Sequence, residues 1–175
     1  MQPTQEVFTI SPVTAADIPA VTKLINSAYK GEAGSKSWTS EGHLVEGERT
    51  TENGLLELIS RPGVTMFKCC DMRSVILGCV LLEKRAPTLY LGMLSVLPGV
   101  QTGGIGSRLI QYGETFAREQ QCNSITITVI DKREELIAWY RRKGFVPTGT
   151  LMPFSNKSSA ALSSISLMEM RKDLV

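Results

Sequence analysis

The chain has one histidine among 175 residues, and none of its four cysteines stands in a C-x-x-C pair. Too few nitrogen and thiolate ligands remain at the spacing a zinc site uses, so no metal is expected. No run of five or more basic residues occurs, and the formal charge of +2 is too small to argue for nucleic acid. Arg141, Arg142 and Lys143 form the densest basic group. Three such residues read as a solvated helix end, where cations suit the dipole. No stretch approaches the ~18 apolar residues of a membrane span. The opening MQPTQEVFTISPV lacks a basic n-region and a long apolar h-region, so no secretory signal is expected. Cys69, Cys70 and Cys79 lie in apolar, strand-like runs and read as small buried hydrophobes. Reduced thiols without a signal point to the cytoplasm.

Hydrophobic residues make up 42% of the chain and charged residues 21%, which suits one folded domain over residues 1–175. Phe8 and Ile10 begin a short strand. Thr14 precedes a helix whose apolar residues, Ile18, Val21, Leu24, Ile25 and Ala28, recur at helical spacing. Residues 31–51 are Gly-rich and charged, a long loop with room for a short helix near Ser40–Leu44. A helix over Thr51–Ser60 ends at Arg61-Pro62-Gly63. Strands follow at Val64–Cys70, Val75–Glu83 and Thr88–Leu97, joined by short polar linkers that imply antiparallel hairpins. Next come a helix over Gly104–Gln120, a β-branched strand over Ser124–Ile130 and a helix over residues 133–143 ending at Gly144. Strands at Phe145–Thr148 and Ile165–Met170 close the pattern, separated by a Ser- and Pro-rich excursion, Gly149–Ser164. The order predicts an α+β fold: one sheet with helices on both faces. Within it, residues 88–130 form a right-handed βαβ unit with parallel strands.

Between the third of these hairpin strands and the next helix lies LSVLPGVQTGGIGSRLI. Glycines let a backbone approach an anion closely. The first N–H groups of a helix lack partners within the helix and carry its positive dipole end. Together they bind phosphate without a lysine. A Walker A loop is excluded because Ile105 stands where its lysine must be. A dinucleotide-binding fingerprint is excluded because Leu109 occupies its third glycine position.

What fits is Gln101-x-x-Gly104-x-Gly106, which resembles the [Arg/Gln]-x-x-Gly-x-[Gly/Ala] motif of the GNAT superfamily of acyl-CoA N-acyltransferases. ELIAWYRRKGF, residues 135–145, resembles that family's helix-plus-GF signature, and the element order matches over nearly the full length. The resemblance implies a GNAT-type domain. Its sheet would be seven-stranded, mixed but mostly antiparallel, with about four flanking helices. It also implies acetyl-CoA as co-substrate. Its pantetheine arm would lie where the strand before the glycine turn splays from its parallel neighbour, along the backbone of Leu94, Ser95 and Val96. The pyrophosphate would meet amides of Gln101, Thr102, Gly103, Gly104, Ile105, Gly106 and Ser107. Gln101 replaces the arginine often found there, so the ionic part of the contact should be smaller.

Tyr140 matches the family tyrosine that protonates the leaving thiolate, five residues before Phe145. The plainer reading is an aromatic packed beside Trp139, Leu136 and Ile137. Many members carry an asparagine seven residues before this tyrosine; here that position is Arg133, with Asp131 two residues earlier. Either is a candidate coenzyme contact, and Arg133 also reads as the start of a solvated helix face. A neutral amine would attack the thioester directly, with a backbone N–H of Leu94 or Val96 on the oxyanion. Glu32, Glu41, Glu48 and Glu83 are candidate bases, each more simply a surface charge. On the acceptor side, Trp38 suits a cation, Arg49 a carboxylate and His43 a titrating contact. Met152, Pro153 and Phe154 are candidates for the opposite wall. A small-molecule or amino-acid-like amine is expected as acceptor, with no nucleic acid and no membrane, and homodimerisation is common in the family. The alternatives are a peptide or protein N-acetyltransferase, a non-catalytic acetyl-CoA-binding module, and a structural domain whose glycine turn binds nothing.

Overall fold

The structure is a computed structural model and describes residues 7–30, 48–153 and 165–175. Its strands are β1 (Thr9–Pro12), β2 (Val64–Cys70), β3 (Ile76–Arg85), β4 (Thr88–Val96), β5 (Ser124–Ile130), β6 (Val146–Pro153) and β7 (Ser166–Asp173). They form one seven-stranded sheet in the order β1-β2-β3-β4-β5-β7-β6. Only β4 and β5 pair in parallel; every other neighbouring pair is antiparallel. The helices are α1 (Ile18–Lys30), α2 (Glu52–Ile59), α3 (Ile105–Glu119) and α4 (Glu134–Arg142), with short 3-10 turns at Ala15–Asp17 and Gln101–Gly103. The mixed α+β fold expected from the element order is therefore found.

Strand alternation divides the core between the two sheet faces. Leu82, Leu89, Leu91, Ile125 and Ile127 pack with Leu109, Ile110, Leu136 and Ile137 of α3 and α4. Met66, Cys79 and Leu81 pack with Val21, Leu24, Ile25 and Leu55 of α1 and α2. All four cysteines are free and buried. Helix starts follow local chemistry: Thr51 caps α2 by accepting from the Gly54 N–H at 3.1 Å. Asp17 Oδ2 receives both the Thr14 N–H (2.8 Å) and its hydroxyl (2.9 Å) at the turn leading into α1.

One boundary differs in substance. Residues 149–153, expected to begin an excursion, belong to β6, whose Leu151, Met152 and Pro153 pair with Met168, Leu167 and Ser166. Pro147 and Pro153 are tolerated because β6 is an edge strand, where a missing N–H can face outward. Gly149, at φ +90°, lies within the register irregularity between Pro147 and Leu151. The possible helix at Ser40–Leu44 lies outside the described residues.

Candidate active site

The parallel pairing of β4 and β5 is short. It joins Thr88 to Ser124, Leu89 to Ile125 and Tyr90 to Thr126, then stops. Beyond it, β5 stays paired with β7 through Ile130, and β4 stays paired with β3 through Val96. A bulge turns β4 away: between the pairs Leu81–Gly92 and Cys79–Ser95, one residue of β3 faces two of β4. Met93 takes φ +50° there. Its carbonyl accepts from the Ser95 hydroxyl at 3.1 Å and from the Cys79 thiol at 3.9 Å. Leu94, Ser95 and Val96, all buried, therefore border a gap in the sheet on the side facing β5.

The gap leads toward the glycine turn. Gly104 adopts φ +75°, a conformation that favours glycine, and is the N-cap of α3. The Arg108 N–H returns to the Gly104 carbonyl at 3.0 Å. Ile105, Gly106 and Ser107 thus open the helix with N–H groups that have no acceptor within it. A Cβ at Gly103 or Gly104 would meet nothing within 4 Å. Glycine serves here for backbone conformation and open approach. Gly78 serves for packing: a Cβ there would lie 2.9 Å from Ile105 Cγ2 and 3.0 Å from the Ser95 carbonyl. It lets the start of α3 lie directly on β3 and β4.

A cleft of about 620 Å³ opens at this point, lined by Gln101, Gly104, Gly106, Ser107, Glu135, Ala138, Trp139 and Arg142. The last four share one face of α4, following its i, i+3, i+4, i+7 repeat. The Trp139 ring carbons would lie 3.4 Å from a Cβ at Gly106. Lys143 Nζ stands 5.4 Å from the Trp139 ring centroid. Helix start, aromatic wall and guanidinium together suit an elongated ligand with an anionic part.

The expected site residues fall into distinct places. Gln101 lines the cleft, but its Nε2 donates to the Val96 carbonyl at 3.1 Å, tying the turn to the end of β4. The Gly103 N–H donates to the Val100 carbonyl at 3.1 Å, so it closes the 3-10 turn. Tyr140 is buried on the adjoining face of α4, its ring edge-on to Trp139 at 5.0 Å and to Phe145 at 5.6 Å. It packs in the same core cluster as Leu94 and Val96. Asp131 ties β5 to β7: its N–H donates to the Ser166 carbonyl at 2.9 Å, and its Oδ1 accepts from the Ser166 N–H at 3.2 Å. Arg133 does not begin a solvated face; it is the N-cap of α4 and buried.

On the acceptor side, Arg49 lies with its guanidinium 5.2 Å from the Tyr29 ring centroid. The adjoining Thr50 is held to Asn26 of α1 by two hydrogen bonds of 3.0 Å. Glu83 is paired with Arg85 at 2.6 Å, and Glu48 is exposed. Trp38, His43, Glu32, Glu41 and Phe154 lie outside the described residues, as does Thr102's side chain. Arg142 was missed as a cleft residue because a basic helix end reads as solvated. Its i, i+3 and i+7 spacing from Trp139 and Glu135 was the available signal.

Among the described residues no group of three or more His, Cys, Asp or Glu side chains is placed to hold a metal, and no helix is long and apolar enough to cross a membrane.

The fold is shared with known proteins. Ard1 from Thermoplasma volcanium superposes with a TM-score of 0.70 at 19% identity, over 96% of this chain and 98% of that one. Spermidine N-acetyltransferase from Vibrio cholerae, in complex with CoA and spermine, superposes with a TM-score of 0.72 at 15% identity, over 95% of each chain. The ribosomal-protein-S18-alanine N-acetyltransferase from Escherichia coli superposes with a TM-score of 0.69 at 15% identity, over 96% of this chain and 94% of that one. At these identities the superpositions show a shared fold and nothing finer. No curated protein matches the sequence significantly. The sequence profile of the acetyltransferase (GNAT) family matches residues 27–145, which span the opened strand pair, the glycine turn and Tyr140, and the chain belongs to that family.

Proposed function

We propose that the protein transfers the acetyl group of acetyl-CoA to the primary amine of a small or amino-acid-like molecule, within a ternary complex. The observation that carries the reading is the end of β4–β5 pairing at Tyr90–Thr126, with β4 running on to the glycine turn and the cleft at the start of α3. An unpaired strand edge followed by a helix start suits a ligand with a narrow polar arm and a phosphorylated end. The β4 edge at Leu94–Val96 would pair with the arm. The opening amides of α3 would meet the pyrophosphate, with Arg142 adding the cation that Gln101 lacks.

The neutral amine attacks the thioester carbon. A C–N bond forms, the C–S bond breaks, and the sulfur leaves with the bond's electrons. A backbone N–H of Leu94 or Val96 stabilises the oxyanion. Tyr140 delivers a proton to the departing thiolate, and the amine loses one to solvent or a base. Burial beside Trp139 and Phe145 fixes the phenol's ring, which favours a positioned proton donor.

The test is thiol release from acetyl-CoA across amino acids, polyamines, aminoglycosides and short peptides, beside a thermal shift with coenzyme A. Release with a small amine is expected. A coenzyme-induced shift with no release from any amine would replace the reading with a binding module, and no shift at all would remove the coenzyme.

A further inference from the structure

On the sheet face opposite α3 and α4, a row of polar side chains crosses four strands at the level where the β4–β5 gap begins. Tyr90 of β4 and Thr128 of β5 hydrogen-bond through their hydroxyls at 3.1 Å. Thr128 is registered directly against Glu169 of β7. Glu169 Oε1 accepts from the Thr148 hydroxyl of β6 at 3.0 Å. Backbone pairing ends at Tyr90–Thr126, so the hydroxyl pair bridges the two strands after they have parted. Gly92 makes this reach possible: a Cβ there would lie 2.8 Å from Tyr90 Cε1.

The charges on this face are unevenly matched. Glu83 is neutralised by Arg85 at 2.6 Å, and Asp173 by Arg171 at 2.8 Å. Lys172 points to the other face, where it meets Glu114 of α3 at 2.5 Å. Among the described residues Glu169 has no cation within salt-bridge distance; the neutral Thr148 hydroxyl donates to it. It is half-buried, which leaves its charge less screened than on an open surface.

We infer that Glu169, with Thr148, forms a subsite for a second positive charge on the acceptor, so that the preferred acceptor is a short diamine or a longer polyamine. The inference rests on the acetyltransferase reading, which brings the thioester through the gap beside Tyr90 and Thr128. Glu169 stands one strand away from that point, roughly 5 Å in the sheet plane. A chain of a few methylenes joins the reacting amine to a charge at that distance. The reacting nitrogen must be neutral to attack, so the retained charge has to come from a second nitrogen.

Putrescine and n-butylamine share a four-carbon chain and differ in the second ammonium. With acetyl-CoA, the wild type should show a kcat/KM for putrescine at least about tenfold above that for n-butylamine, the scale of a charge-assisted hydrogen bond. Glu169→Gln keeps the size of the side chain and an acceptor for Thr148. It should remove that preference, leaving the n-butylamine rate and the KM for acetyl-CoA unchanged. Equal loss for both amines, or no preference in the wild type, would overturn the subsite. Thermal shifts with putrescine alone provide a readout independent of turnover. A shift in the wild type that Glu169→Gln loses supports the subsite even if no amine is acetylated, in which case the transfer reading fails separately. No shift in the wild type, or one that the variant keeps, counts against the subsite.

Discussion

Gln101 Nε2 donates to the Val96 carbonyl at 3.1 Å, so the glutamine in the arginine position of the family motif closes the turn onto β4. The two residues bracket the bend between the β4 edge and the opening amides of α3. Gln101→Ala should loosen that bend and raise the KM for acetyl-CoA by about threefold to tenfold, the range of a neutral hydrogen bond. Arg142→Ala should also raise it, through a different contact. With Arg142 on the pyrophosphate, its loss should flatten the salt dependence of coenzyme binding, whereas Gln101→Ala should leave that slope intact. Calorimetric titration of coenzyme A at low and high salt checks both. A slope unchanged in Arg142→Ala would remove the guanidinium from the phosphate site.

Tyr140→Phe keeps the ring contacts with Trp139 and Phe145 and deletes only the hydroxyl. If the phenol is the acid, turnover should fall by ~10²-fold or more while coenzyme binding stays nearly constant. Steady-state kinetics with thiol detection measure the first, and titration with coenzyme A the second. Unchanged turnover would leave Tyr140 as a packing residue.

Much of this arrangement was legible in the sequence, because it rests on local rules. The apolar spacing in α1 and α3, the β-branched run of β5 and the short polar linkers each identify their element without knowledge of the rest. The glycine turn was legible for the same reason. What escaped depends on contacts between distant segments. Pro147, Gly149 and Pro153 punctuate β6 as a loop would, and only its edge position makes them compatible with a strand. Arg133 reads as solvated because an N-terminal helix position is usually exposed; its burial follows from where α4 lies. Glu169 follows Thr128 by many residues and reaches the same face through strand register. The partner of Gln101 is a backbone carbonyl, which carries no side-chain signature.

Gly78 tests the packing of α3 on the sheet. A Cβ at that position would lie 2.9 Å from Ile105 Cγ2, 3.0 Å from the Ser95 carbonyl and 3.1 Å from Leu109 Cδ1. The Ser95 carbonyl is backbone of the paired strand and cannot rotate aside. Gly78→Ala should therefore destabilise by about 1–3 kcal/mol through overpacking. Thermal unfolding should show a midpoint lower by roughly 2–10 °C for a chain of this size. Displacement of Ile105 should also weaken coenzyme A binding. An unchanged midpoint would mean that α3 does not pack this closely on β3.

Asp17 links stability to pH. Its carboxylate meets Lys68 Nζ of β2 at 2.6 Å and receives two hydrogen bonds from Thr14. Burial alone would raise its pKa, yet the bonds from Lys68 and Thr14 outweigh that and hold it below the usual aspartate value. A group whose pKa is lowered by folding stabilises the native state above its unfolded pKa, ~3.9 for aspartate. That contribution is lost as pH falls through the folded value. Asp17→Asn keeps a short polar side chain but cannot pair with Lys68 as an ion. For a partly exposed pair the cost should be about 1 kcal/mol at neutral pH, roughly 2–4 °C in Tm. Melting curves of both proteins from pH 7 downward should converge in the acid range, where the wild-type carboxylate also becomes neutral. A difference that persists undiminished at the lowest pH would assign the loss to altered packing at the start of α1 and leave no role for the charge.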